Sequence, residues 1–196
     1  MKRATCGIVL FLSLGISAVR AQSSVSVLIV YYSKDGHTKS LADAVAKGAR
    51  SVKLANVKMV VVADATMNEV LSADAIVLGS PVYNANVAPP IQEFINRWPF
   101  DGGMRDKIGA AFVSADGISA GEELVQTNIL HSMLIFGMIV VGGGDWQLPF
   151  GASAVVAEAP FQKDSQRVAV ADQFLRKAEM LGERVAEVAV RLKRAK

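Results

Sequence analysis

The stretch Val25-Ser26-Val27-Leu28-Ile29-Val30-Tyr31-Tyr32-Ser33-Lys34-Asp35-Gly36-His37-Thr38 decides how this chain folds. Five of its first six residues are apolar, and the run is rich in β-branched side chains, the pattern of a strand buried on both faces. Beyond it, Leu41, Ala42, Val45, Ala46 and Ala49 recur at helical spacing and predict a helix over about Thr38 to Ser51. The polar turn between them carries hydroxyls and a glycine. A helix leaves its first N–H groups without internal partners, and its dipole favours an anion there, so a strand that opens through such a turn suits a phosphate. Ser33 and Thr38 can donate O–H bonds, Gly36 admits close backbone approach, and Lys34 can add charge. Asp35 and His37 are assigned main-chain N–H contacts. The plainer alternative is a strand-to-helix turn capped by Ser or Thr. Neither G-x-G-x-x-G nor a Walker lysine is present.

Working outward, apolar runs at Val57 to Ala63, Ala75 to Gly79, Ile108 to Val113 and Met138 to Val141 predict four further strands. Gly142-Gly143-Gly144 interrupts the last, which Ala154 to Ala157 can resume. Helices are expected after Pro89-Pro90, from about Glu122 to Phe136, and from about Asp164 to Arg194. Regular alternation predicts α/β architecture: a doubly wound, five-stranded parallel sheet in three α/β/α layers. Ligands of such sheets sit outside the carboxyl ends of the strands, where strand order reverses.

Three loops at such ends are polar and rich in small residues. In the second, Pro81, Val82 and Tyr83 can lie beside a flat heterocycle with the tyrosine ring stacked on it, and Asn84 and Asn86 can read its polar edge; turn formation explains the asparagines equally. In the third, Ser114, Ala115, Asp116, Gly117 and Gly121 can run along the remainder of such a ligand. There Ser119 and Glu122 also resemble a capping box. No catalytic acid, base or nucleophile stands out, and no Cys or His cluster suggests a metal.

Tyr31-Tyr32-Ser33-x-x-Gly36-His37-Thr38 resembles the FMN-phosphate loop of flavodoxin-like proteins, in particular the tryptophan-repressor-binding-protein type of NAD(P)H:quinone oxidoreductase. Gly79 to Tyr83 and Ser114 to Glu123 resemble the second and third flavin loops of that family. The resemblance implies strand order 2-1-3-4-5, FMN as cofactor, NAD(P)H as donor and a quinone as acceptor. Its alternative is a carrier that binds FMN and passes electrons between partner proteins, and a third is a flavin scaffold without turnover. The family's long insertion between strands two and three is short here, at Asp64 to Ala73. That points away from the family tetramer, toward a dimer or monomer. The family histidine near the flavin is replaced by Phe136, and Trp98 is assigned to the core.

The 196 residues suit one domain, residues 22–196, behind a leader. Lys2 and Arg3 precede the uncharged run Ala4 to Val19, and Val19-Arg20-Ala21 offers a cleavage site, so residues 1–21 read as a secretory signal. An uncleaved anchor is the alternative, and the only expected contact with a membrane. Cleavage lowers the formal net charge from +3 to 0, which removes the case for nucleic-acid binding, and takes away Cys6, the only cysteine. The expected location is periplasmic or extracellular.

Overall fold

The computed structural model describes residues 24–161 and 170–195. The proposed leader lies outside these. Two central strands set the architecture. β3 (Ala75–Tyr83) is buried through Ser80 and β5 (Ile108–Ala115) along its whole length, as strands covered by helices on both faces must be. β1 (Val25–Tyr31) pairs in parallel with β3 on one side and with β2 (Ala55–Val61) on the other. β2 alternates between half-buried and exposed residues, as an edge strand does.

Beyond β5 the sheet's far edge is split. β6 (Ile139–Val140) pairs with the start of β5, and β7 (Ala152–Val155) pairs with its end. Together they fill the fifth position, so the expected order holds with seven strands in place of five. Gly142 to Gly144 mark the interruption, and the resumed strand begins two residues earlier than expected. The remaining strand, β4 (Asn86–Val87), was not expected. It turns back on Val82 and Tyr83 as an antiparallel hairpin, which lengthens β3 well past Gly79.

Helices α1 (His37–Ser51) and α5 (Asp172–Ala195) cover one face, and α2 (Met67–Ser72), α3 (Pro89–Asn96) and α4 (Glu122–Ile135) the other. A helix start near Asp164 was expected for α5. Val170 and Ala171 are not helical, and Asp172 opens the helix; Val168 lies outside the described residues. A 3-10 turn, Val62–Asp64, ends the strand expected to run to Ala63. A capping box forms at α2, where Thr66 and Glu69 each hold the other's backbone N–H. Trp98 is buried against Phe94 and Phe136, in the core as expected. Among the described residues no helix is long and apolar enough to cross a membrane.

The α1–α5 contact depends on small residues. A methyl group on Gly182 would stand 1.9 Å from the Val45 carbonyl oxygen, and one on Gly48 as close to that of Glu179. At the amino end of the sheet, Asp74 accepts the Ser26 N–H and binds Lys193 at 2.8 Å, fastening the end of α5 beneath β1 and β3. Alanine is favoured over glycine inside a helix by about 1 kcal/mol, but here the added carbon meets backbone on the facing helix. Gly182→Ala is expected to destabilise the fold by about 1–3 kcal/mol through overpacking, read as a lower urea midpoint at unchanged slope.

Candidate functional site

Three loops leave β1, β3 and β5 at their carboxyl ends and enclose a cleft of about 100 Å³ lined by Ser33, Lys34, Asp35, His37, Thr38, Pro81, Val82, Tyr83, Ser114 and Asp116. All ten are among the residues singled out from the sequence. Gly36 belongs to the same turn. It precedes α1 with φ +92, a left-handed conformation that favours glycine.

The first loop is built around the helix start. Ser33 Oγ accepts the N–H groups of Gly36 at 3.1 Å and Lys39 at 3.2 Å. It thereby caps α1 from three residues ahead of Gly36, and its own proton remains to be donated. The cap anticipated from Ser or Thr and the anion contact are thus compatible. His37 and Thr38 are the first two residues of α1, so their N–H groups have no acceptor within the helix. Thr38 is buried, and its Oγ1 lies 2.8 Å from the Oγ of buried Ser114. One proton joins the two hydroxyls and one is left, so the pair offers a single O–H donor and ties the first loop to the third.

The cleft's charge is mixed. Lys34 is exposed, and Asp35 and Asp116 line the same space. An anion at the helix start is therefore held by N–H and O–H dipoles more than by ion pairs. The volume matches that assignment. It falls below the roughly 300–1,000 Å³ that a cofactor-sized ligand fills, so the cleft suits a phosphate and the polar chain behind it, with any ring lying on the rim.

Tyr83 forms that rim. Its ring meets the edge of Tyr32 at 6.2 Å and 87°, which fixes its tilt. Burial raises its hydroxyl pKa first, helped by the hydrogen bond with Tyr32 and by the charges of Asp35 and Asp116, so Tyr83 stays a neutral phenol at pH 7. Asn84 and Asn86 behave as turn residues. Asn84 has φ +51, and Asn86 Nδ2 donates to its carbonyl at 2.9 Å. Asn86 lines a separate cavity of about 530 Å³ with Gln92, Asn128 and Ser132.

In the third loop Ala115 is buried in β5, opposite Val155. Gly117 and Gly121 lie outside the cleft lining. Gly121 has φ +108, and a side chain on it would meet Ala85 at 2.8 Å, so it seats the second-loop hairpin against the start of α4. Gly121 also moves the helix start past Ser119. Only half of the expected capping box forms, with Ser119 N–H donating to Glu122 at 3.1 Å.

Three supporting residues were not assigned from the sequence. Buried Ser80 donates to the Pro81 carbonyl at 2.7 Å and accepts the Ala88 N–H at 3.0 Å, bracing the hairpin. Glu158 accepts the Ile118 N–H at 2.6 Å and holds the third loop. Tyr32 orients Tyr83. A hydroxyl next to Pro81 and a second tyrosine were the only available signals. His131 is exposed on α4 and is not part of the cleft lining, whose titratable side chains are Lys34, Asp35, His37, Tyr83 and Asp116.

Residues 24–153 match the sequence family described as NADPH-dependent FMN reductase. The chain is 33% identical over 168 residues to a flavodoxin of Aquifex aeolicus, covering 82% of this chain and 85% of that protein. It is 31% identical over 164 residues to an NAD(P)H dehydrogenase (quinone) of Azorhizobium caulinodans, covering 69% and 79%. A flavodoxin, WrbA-like protein from Agrobacterium tumefaciens shares the fold, with TM-score 0.68 and 22% identity over 86% of this chain and 99% of that one.

The Thr38–Ser114 hydroxyl pair yields the sharpest expectation. Thr38→Val keeps the volume and removes the donor, and should weaken FMN by about 1.5–3 kcal/mol, the worth of one hydrogen bond to a charged group. Ser114→Ala breaks the same pair, so the double variant should lose less than the sum of the two. Titration of each apoprotein with FMN measures both.

Proposed function

The chain belongs to the NADPH-dependent FMN reductase family, and from that membership we propose that it carries two electrons from NAD(P)H to a quinone through FMN. The observation behind this reading is the meeting of three loops in one cleft, with two open helix-start N–H groups at its floor and an oriented tyrosine at its rim. His37, Thr38, Ser33 and the Thr38–Ser114 pair would hold the phosphate, and Tyr83 the ring. FMN held there would supply the redox chemistry, as a carrier of two electrons between donor and acceptor.

The protein's own part is to bind and orient. Ser80 and Gly121 fix the second loop and Glu158 the third, and the Thr38–Ser114 bond ties the first loop to the third with both hydroxyls buried. Hydride transfer through a bound flavin requires no side-chain acid or base, so the lining has only to bind and orient. We further propose export, on the basic and apolar pattern of residues 1–21.

Export favours a second reading, because pyridine nucleotides are scarce outside the cytoplasm. In it the chain is an electron carrier docked by protein partners. The charge around the cleft supports this. Asp35, Asp116, Glu122, Glu123 and Glu158 stand near its three loops, against Lys34 and Lys39, the latter paired with Asp43. Such a rim attracts a basic partner, although the chain without its leader has a formal net charge of 0.

One experiment separates the readings. The protein loaded with FMN is mixed anaerobically with NADPH and then with benzoquinone. Loss of the flavin absorbance near neutral pH followed by its full return supports the enzyme. An absorbance indifferent to NADPH, yet bleached by a reduced partner protein, makes the chain a carrier.

A further inference from the structure

The end of the molecule opposite the cleft, where strands begin and helices finish, carries an apolar patch. Phe100, in the connection from α3 to β5, stacks on Phe136 with centroids 4.4 Å apart but is itself 77% exposed. Ile135, beside Phe136 at the end of α4, is 71% exposed. Leu71, Leu134 and Ile139 are exposed at the same end. Leu71 reaches the Phe100 connection at Gly103, which joins the end of α2 to the Phe100–Phe136 stack.

Cations border it. Arg105, Lys107 and Lys193 line one cavity with Asp74 and Asp106. Lys193 is bound to Asp74, and Lys107 donates to the carbonyl oxygens that finish α2. Arg191 and Arg194 stand in the last turns of α5, and Arg50 and Lys53 at the end of α1. The opposite end carries the carboxylates around the cleft. Asp101 adjoins Phe100 and Glu187 pairs with Arg191, yet cations outnumber carboxylates at this end, so the two ends differ in sign although the domain's formal charges cancel.

We propose that this end docks on an anionic lipid surface. Aromatic and branched aliphatic side chains bordered by Lys and Arg are what an interfacial contact requires, since the apolar groups enter the acyl boundary while the cations meet headgroups. The chain's course agrees. Val25 opens β1 at this end, so the segment carrying the uncharged run Ala4 to Val19 joins the domain on the same side. A second copy placed here would set cations against cations, and exposed Ile135, Leu134 and Leu71 offer a nucleic acid nothing on which to stack. With β1 spanning seven residues, or about 23 Å, the docked domain turns its cleft to the water, toward soluble redox partners.

The full chain, with Cys6→Ser, is labelled with a polarity-sensitive dye at Ile135→Cys or, on the same helix at the cleft end, at Leu124→Cys. Both positions are exposed, so either label leaves the core intact. Vesicles of phosphatidylcholine with about one-third phosphatidylglycerol should shift the Ile135 label to the blue and brighten it, leave the Leu124 label unchanged, and lose their effect when the anionic lipid is omitted. Arg105→Glu with Arg194→Glu should weaken vesicle partitioning by roughly tenfold or more. Three results would overturn the proposal: a silent Ile135 label, equal responses at both positions, or a response that grows with protein concentration without vesicles, which assigns the face to a second copy.

Discussion

The parallel register of β1, β3 and β5 is the constraint on which the cleft depends. Tyr31 stands opposite Gly79, and Gly79 opposite Phe112, so β1 turns into its loop at a level past which β3 and β5 run on by only three or four residues. Each then has only a few residues in which to turn, and the three loops are forced toward one another. The Thr38–Ser114 hydroxyl bond closes the arrangement by joining the first loop to the third across the end of β3. A one-residue slip of β5 would move Ser114 to the other face of the sheet and remove that bond.

Much of this was legible because local chemistry and global fold agree. The run from Val25 to Tyr31 could only be a covered strand, and the Ser33 to Thr38 turn could only open a helix. The split of the last strand was announced by three successive glycines. What escaped notice depends on partners distant in sequence. The hairpin at β4 turns through Asn84 and Ala85, both at positive φ, and Asn-Ala lacks the glycine that usually marks such a turn. Gly121 permits the close approach of that hairpin, but nothing near Gly121 in the chain names Ala85. Ser119 and Glu122 had the spacing of a capping box, and the left-handed Gly121 moved the helix start past them. The charge separation between the two ends was invisible in a composition that adds to zero.

The fold therefore divides its work between its ends. The carboxyl end of the sheet collects open N–H and O–H donors, an oriented aromatic ring and a rim of carboxylates. The amino end collects exposed aromatic and aliphatic side chains with arginines and lysines. The first arrangement fits a flavin and the partners that exchange electrons with it. The second fits a surface that holds the domain in place.

Comparison of FMN with riboflavin tests the central claim most directly, because the two ligands share the ring and differ in the phosphate. If the Ser33 to Thr38 loop is a phosphate site, calorimetric titration of the apoprotein will show FMN binding more than about a hundredfold tighter, as two hydrogen bonds to a charged group require. Equal affinity for both ligands would contradict the account and leave the loop as an ordinary helix cap.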